Sequence, residues 1–137
     1  MVLYLGDSTP KYTITKQLWY SKLIVTLFFK KRFISKIREG AKTQTRRLKQ
    51  PKLTIGKTYY LRENYRSTLP EQIMVTDIFQ QFLGDISPEE AQKEGLTTEQ
   101  NFIDTWTEIY GYYDPAELIW VVEFQYIDST EMFKEKT

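Results

Sequence analysis

Apolar residues run without a break through LIVTLFF, Leu23 to Phe29, and their β-branched and aromatic content predicts a strand buried on both faces. The period then changes. In KKRFISKIREG the residues Phe33, Ile34 and Ile37 fall on one helical face and cations take most of the rest. Gly40 stands where a left-handed cap is wanted, so a short helix should end there. KTQTRRL, from Lys42, alternates in side-chain type and should run extended. Thr43, Thr45 and Arg47 then share one face and Gln44 and Arg46 the other, until Gln50 and Pro51 stop the strand. KTYYLRENY after Gly56 and QIMVTDIFQQF after Pro70 read as two more strands. Ser87, Pro88, Glu89 and Glu90 make a helix start in which serine caps, proline suits the first turn and the acids favour the positive end of the dipole; the helix should stop at Gly95. Thr97 or Thr98 opens another, with Phe102, Trp106, Ile109 and Tyr110 as a core-facing stripe and Gly111 as its end. LIWVVEFQYI is the last strand, and DSTEMFKEKT a polar tail.

This order of elements predicts an α+β fold around a small, curved, mostly antiparallel sheet, of a kind that tends to close into a β-barrel with flanking helices. The chain of 137 residues suits one domain. Its predicted limits are 23–127, preceded by an arm or extra strand over 1–22 and followed by the tail over 128–137. Cysteine and histidine are both absent, which removes disulfides, thiolate nucleophiles, Cys/His zinc sites and imidazole bases. Any catalysis must run on Lys, Thr, Tyr or carboxylates. The run at Leu23 to Phe29 is too short to span a bilayer and lies between charged flanks, so the expectation is a soluble, cytoplasmic protein with no membrane partner.

Charge is unevenly distributed behind a formal net value of +1. Lys30 to Arg62 holds twelve Lys or Arg against one acid, Glu39, whereas Glu63 to Thr137 holds sixteen acids against four bases. Two readings stay open: the two segments pair across the fold as salt bridges, or the cations form a phosphate-facing surface.

Within the basic segment lies GAKTQTRR, Gly40 to Arg47, with three cations and no acid. It resembles the signature of the ASCH domain, a PUA-like β-barrel family in which a helix ends at Gly and leads to Lys-Thr-x-Thr-x-Arg, here Gly40, Lys42, Thr43, Thr45 and Arg47. GKTYYLRENY is similar to the Gly-Asp-x-x-x-x-Arg-Glu stretch of many viral and archaeal members, with Lys57 in place of the aspartate. WVVEF is similar to the family's closing strand. The resemblance covers about Leu23 to Ile127 and implies RNA or nucleotide-related work, because PUA-like barrels commonly bind RNA.

One branch of the family, the bacterial amidohydrolases acting on N(4)-acetylcytidine, uses the lysine and second threonine of the motif with a downstream glutamate. By that resemblance the catalytic positions are Lys42, Thr45 and Glu94, the last in AQKEGLTTEQ. The chemistry needs no histidine. A lysine crowded by Arg46, Arg47 and Lys49 and partly desolvated has its charged form disfavoured, and neutral Lys42 would accept the proton of Thr45 or of a water. Glu94 would serve as acid to the departing amine or orient it. Thr43, Arg46, Arg47, Arg62 and Glu63 are the candidate ligand-binding residues, with Glu63 also a candidate buried partner of Arg47 or Arg62. Clustered acids do not accompany the motif, so neither a metal nor another cofactor is expected. Three functions follow: a module binding RNA, single-stranded nucleic acid or a nucleoside through a basic pocket at the barrel mouth; an amidohydrolase on acylated cytidine, or a ribonuclease, at the same site; or a protein-interaction domain.

Overall fold

A computed structural model describes residues 27–64 and 66–128. The arm expected over 1–22, the first residues of the strand expected from Leu23, and all of the tail but Asp128 lie outside these. The elements in chain order are β1 (Leu27–Phe28), α1 (Lys31–Arg38), β2 (Gln44–Arg47), β3 (Thr58–Asn64), β4 (Ser67–Phe82), a single 3-10 turn (Leu83–Asp85), α2 (Pro88–Lys93), α3 (Glu99–Tyr110) and β5 (Leu118–Ile127). Among the described residues no helix is long and apolar enough to cross a membrane.

The five strands form one mixed sheet in the order β1-β3-β4-β5-β2. Among the described residues only the β1 and β3 pair is parallel. β4 is the spine, pairing with β3 through its first half and with β5 from Gln72 to Phe82. A register shift at Thr76, between the Val75 and Asp77 pairs, bends it, as an extra residue in one strand does. The sheet therefore curls into a half-barrel, and its two edges approach: the Arg47 guanidinium on β2 donates to the Phe28 carbonyl on β1 at 2.9 Å. β4 begins earlier than Pro70 predicts. The proline falls within a second register irregularity, between the Tyr60 and Arg62 pairings and beyond the end of β5, where no ladder bond needs its missing N–H.

β5 carries a core on each face. Val122 and Phe124 pack with Phe29, Phe33, Ile34, Ile37, Leu61, Ile73 and Val75 under α1, while Ile119 and Val121 pack with Leu83, Ala91, Phe102 and Trp106 under α2 and α3. The stripe Phe33, Ile34, Ile37 of α1 is buried as its spacing predicts. In α3, Phe102 and Trp106 are buried but Ile109 is 39% exposed, because the buried line runs through Phe102, Trp106 and Tyr110 at steps of four and leaves Ile109 to one side. Helix ends fall where their caps predict. Gly40, Gly95 and Gly111 each have positive φ, and Ser87 forms a capping box with Glu90.

The basic and acidic segments do pair across the fold. Six ion pairs each join a cation between Lys30 and Arg46 to an acid between Glu71 and Glu108. Lys30 and Arg32 meet Glu108, and Arg38 meets Glu71, all with exposed cations whose pairs contribute little to stability. Lys42 and Arg46 are different, being buried.

Candidate functional site

The turn after α1 sets the backbone of the motif. Ala41 and Lys42 both donate their amides to the Lys36 carbonyl, at 2.9 and 3.1 Å, as the chain leaves the helix through Gly40. The Thr43 amide donates to the Lys93 carbonyl at 2.7 Å, and its carbonyl accepts from the Phe124 amide at 2.9 Å. The end of α2, the start of β2 and the middle of β5 are thus tied at one residue. Lys42 and Glu94 form a bridge of their own beside this knot.

β2 then alternates as predicted. Gln44 lies opposite Glu123 and Arg46 opposite Val121, on the face of the α2 and α3 core; Thr45 lies opposite Val122 and Arg47 opposite Trp120, on the other face. Thr45 and Arg46 are therefore neighbours in sequence and on opposite sides of the sheet. Glu94, past the end of α2, reaches both sides of this edge strand. Its Oε1 accepts from Lys42 Nζ and its Oε2 from Arg46 Nη1, each at 2.9 Å. Lys42 Nζ also donates to the Glu94 carbonyl at 2.9 Å. Lys42, Thr45, Arg46 and Glu94 are all buried, at 3 to 5% exposure.

On the Thr45 face, Arg47 Nε donates to Thr45 Oγ1 at 3.1 Å. The Arg47 guanidinium stands 5.1 Å from the centre of the Phe29 ring, and Lys42 Nζ lies 5.9 Å from the same centre and 4.8 Å from that of Phe33. The Lys42 ammonium and the Arg47 guanidinium so both lie near the Phe29 ring, an arrangement with cation-π character. Thr45 is bonded to Arg47, while Lys42 is bonded to Glu94. The Arg47 donor leaves the threonine's own proton directed elsewhere and makes the hydroxyl oxygen a better anion.

The other face holds Arg46 in a complete socket. Its guanidinium donates to Gln81 Oε1 at 3.0 and 3.1 Å, to Gln44 Oε1 at 3.0 Å, to Glu94 at 2.9 Å and to Glu90 Oε2 at 2.7 Å. Gln44 in turn donates to Glu123 at 2.9 Å. Arg46, expected as a ligand-binding cation, is instead saturated by protein groups, because strand alternation turns it into the α2 and α3 side.

Burial lowers the pKa of Lys42 from 10.5; Glu94 opposes the shift through charge and hydrogen bond, and Arg47 and Arg46 add to it. Lys49, also expected to crowd this lysine, is exposed. Burial raises the pKa of Glu90, but bonds from Ser87 and Gln81 and the charge of Arg46 outweigh it and hold the carboxyl below its usual range. Glu63 is exposed on β3 and makes no buried pair with Arg47, whose donors go to Thr45 and Phe28. Arg62 is half-buried on the same strand, its carbonyl accepting from the Phe29 amide at 2.9 Å, and Thr43 is half-buried beside the knot. Among the described residues no group of carboxylates is arranged to hold a metal ion.

Reasoning from the sequence missed Gln44, Gln81, Glu90 and the rings of Phe29 and Phe33 as parts of this centre. Glu90 had a signal: it precedes Glu94 by four, which puts both on one side of α2. Gln81 had none, since its place depends on how β4 registers with β5. Gly95 is also part of the site. Its φ is +86°, and a Cβ there would lie 3.2 Å from Cβ of Lys42 and 3.3 Å from Cβ of Lys36. Gly95→Ala is expected to destabilise the domain by about 1–2 kcal/mol from the left-handed backbone alone. It should also push Lys42 off Glu94, read as a lower urea midpoint together with a shifted Lys42 side-chain resonance.

No family model matches the sequence, and no curated protein is matched. Solved structures are. The chain is similar to the crystal structure of an ASCH domain from Lactobacillus crispatus JV V101, with a TM-score of 0.53 and 14% identity over 90% of this chain and 89% of that one. It is also similar to protein EF3133 of Enterococcus faecalis V583, of family DUF984, with a TM-score of 0.51 and 21% identity over 71% of each chain. The chain has the α+β fold of that ASCH domain.

Proposed function

We propose that the protein binds the base of a nucleoside or nucleotide at the Lys42, Thr45 and Glu94 centre and hydrolyses an acyl amide on that base, as on N(4)-acylated cytidine. The observation that carries this reading is the buried Lys42 to Glu94 contact, 2.9 Å long, between residues far apart in the chain. Two charges withdrawn from water cost several kcal/mol each, and an apolar pair of the same volume often serves stability as well or better. A centre of this kind, with a lysine whose ammonium form is disfavoured, has the character of a reactive site.

The chemistry follows from the groups present. Neutral Lys42 takes a proton from Thr45 Oγ, or from a water on the same face, and the oxygen attacks the acyl carbonyl. Arg47, which donates to Thr45, would supply a donor to the carbonyl oxygen as charge builds there. Collapse of the tetrahedral centre breaks the C–N bond, and the amine leaves with the proton that Lys42 accepted, delivered directly or through Glu94. A water then cleaves the threonine ester where Thr45 was the nucleophile.

Phosphate-led RNA binding is the second reading. Lys49, Lys52 and Lys57, between and at the edge of β2 and β3, are exposed and have no ion pair among the described residues. Both readings are tested by one pair of assays. The first expects release of carboxylate from N(4)-acetylcytidine by the full chain, with no release from an N-acylated amine lacking a base. The second expects RNA affinity that falls steeply with salt and survives Thr45→Ala. Absence of turnover across a panel of acylated cytosine nucleosides would remove the hydrolase.

A further inference from the structure

Arg46 has no role in the scheme above, yet it is the most completely enclosed charge of the centre, its side chain being 0% exposed. It stands on the face of β2 opposite Thr45, so it cannot touch a ligand seated against Thr45 and Phe29. What it does touch is the second oxygen of the carboxylate whose first oxygen holds Lys42. Its other donors are fixed by Gln44, Gln81 and Glu90.

A buried carboxylate needs a cation. If Lys42 were the sole partner of Glu94, shedding its proton would strand that carboxylate in a dry site, and the lysine would be held as an ammonium. A guanidinium stays charged throughout the range in which lysine titrates. We propose that Arg46 is the positioning residue of this centre: it acts as the permanent counter-ion of Glu94, from the far side of the edge strand, and so frees Lys42 to serve as the base. Glu90 sets how much of Arg46 is available, since it shares the same guanidinium at 2.7 Å.

This inference rests on the reading of Lys42 as a base but makes a claim that can be measured without a substrate. The charged groups facing Lys42 are Glu94 from the end of α2 and Arg46 and Arg47 from β2, and the segment before α1 and α1 itself present the rings of Phe29 and Phe33. Removing Arg46 takes a cation from Lys42 and gives it the whole of Glu94. Removing the Glu90 charge does the reverse.

The test is a titration of the Lys42 side chain by NMR in the full chain labelled with carbon-13 and nitrogen-15 lysine, the resonance being assigned by its loss in Lys42→Met. Arg46→Gln is expected to raise the Lys42 midpoint by about one pH unit or more, and Glu90→Gln to lower it. The pH at which kcat rises should follow in the same two directions, with KM little changed. Glutamine keeps the capping box at position 90, so that variant folds even if Arg46→Gln does not, and its shift then decides alone. A midpoint that stays fixed in both variants, or moves the same way in both, overturns the role of Arg46. An unmoved or raised midpoint in Glu90→Gln does so by itself. Opposite shifts in a protein that hydrolyses no acylated nucleoside would uphold the charge arrangement and remove the proposed substrate, so the two failures are told apart.

Discussion

Lys42→Met is expected to lower kcat for N(4)-acetylcytidine by about 10²- to 10⁴-fold, the usual worth of a positioned general base. The domain should remain folded. Methionine has nearly the length of lysine and suits the place beside the Phe29 and Phe33 rings that Lys42 Nζ occupies. Glu94 is not stranded, because Arg46 still donates to it at 2.9 Å. Removing a buried charge whose opposite keeps a second cation spares a desolvation cost, so the urea midpoint should hold or rise. The pH dependence has a definite sign. The folded Lys42 loses its proton below 10.5, so between its folded value and 10.5 the unfolded chain binds more protons and stability rises with pH. Below that window both states are protonated and the full cost of burial remains. Lys42→Met should flatten this rise. Steady-state kinetics and urea melts over pH check both parts, and a variant that keeps natural turnover would end the assignment of Lys42 as base.

Ile37→Ala should destabilise the domain by about 2–5 kcal/mol, the range for emptying a fully buried branched side chain. Ile37 is 0% exposed and, with Phe33 and Ile34, docks α1 onto the sheet. The helix is short, eight residues, and could not hold together in water without that face. Its last turn is also the mount of the site, since Lys36 accepts the amides of Ala41 and Lys42. Loosening the helix should therefore weaken the hold on Lys42 before the domain unfolds. The measurement is a urea melt by circular dichroism with turnover recorded at low urea: activity is expected to fall ahead of the main transition. Coincident loss of both would mean that α1 and the centre unfold only together.

Much of the local architecture was legible from the chain. Gly40, Gly95 and Gly111, Ser87 with Glu90, and the alternation from Thr43 to Arg47 all act over a few residues, through backbone sterics, caps and the two-residue period of a strand. The alternation places Arg46 on the face away from Thr45, where its guanidinium meets Gln44, Gln81, Glu90 and Glu94. The stripe of α3 is legible in its spacing except at Ile109, which stands beside the line through Phe102, Trp106 and Tyr110.

The excess of cations between Lys30 and Arg62 was ambiguous for a plain reason. A count along the chain does not tell which charges meet, and Coulomb energy depends on separation and burial in space. Folding brings Glu71, Glu90, Glu94 and Glu108 to that segment and satisfies five of its cations, leaving others in solvent. Glu94 illustrates the point most clearly. On the chain it is an acid at a helix end, while in the fold it is buried between two cations because Thr43 ties the end of α2 to the sheet.

The amino-acid sequence by itself determined which segments form helices and strands, how the helices end, and which side chains of the Thr43 to Arg47 segment share a face, since those depend on neighbours a few bonds away. Only the tertiary structure decided that Lys42 and Arg46 share one carboxylate from opposite sides of an edge strand, and that Glu63 stands apart in solvent. Those facts follow from sheet order, register and the seating of α2 against β2, and they join residues that nothing along the chain connects.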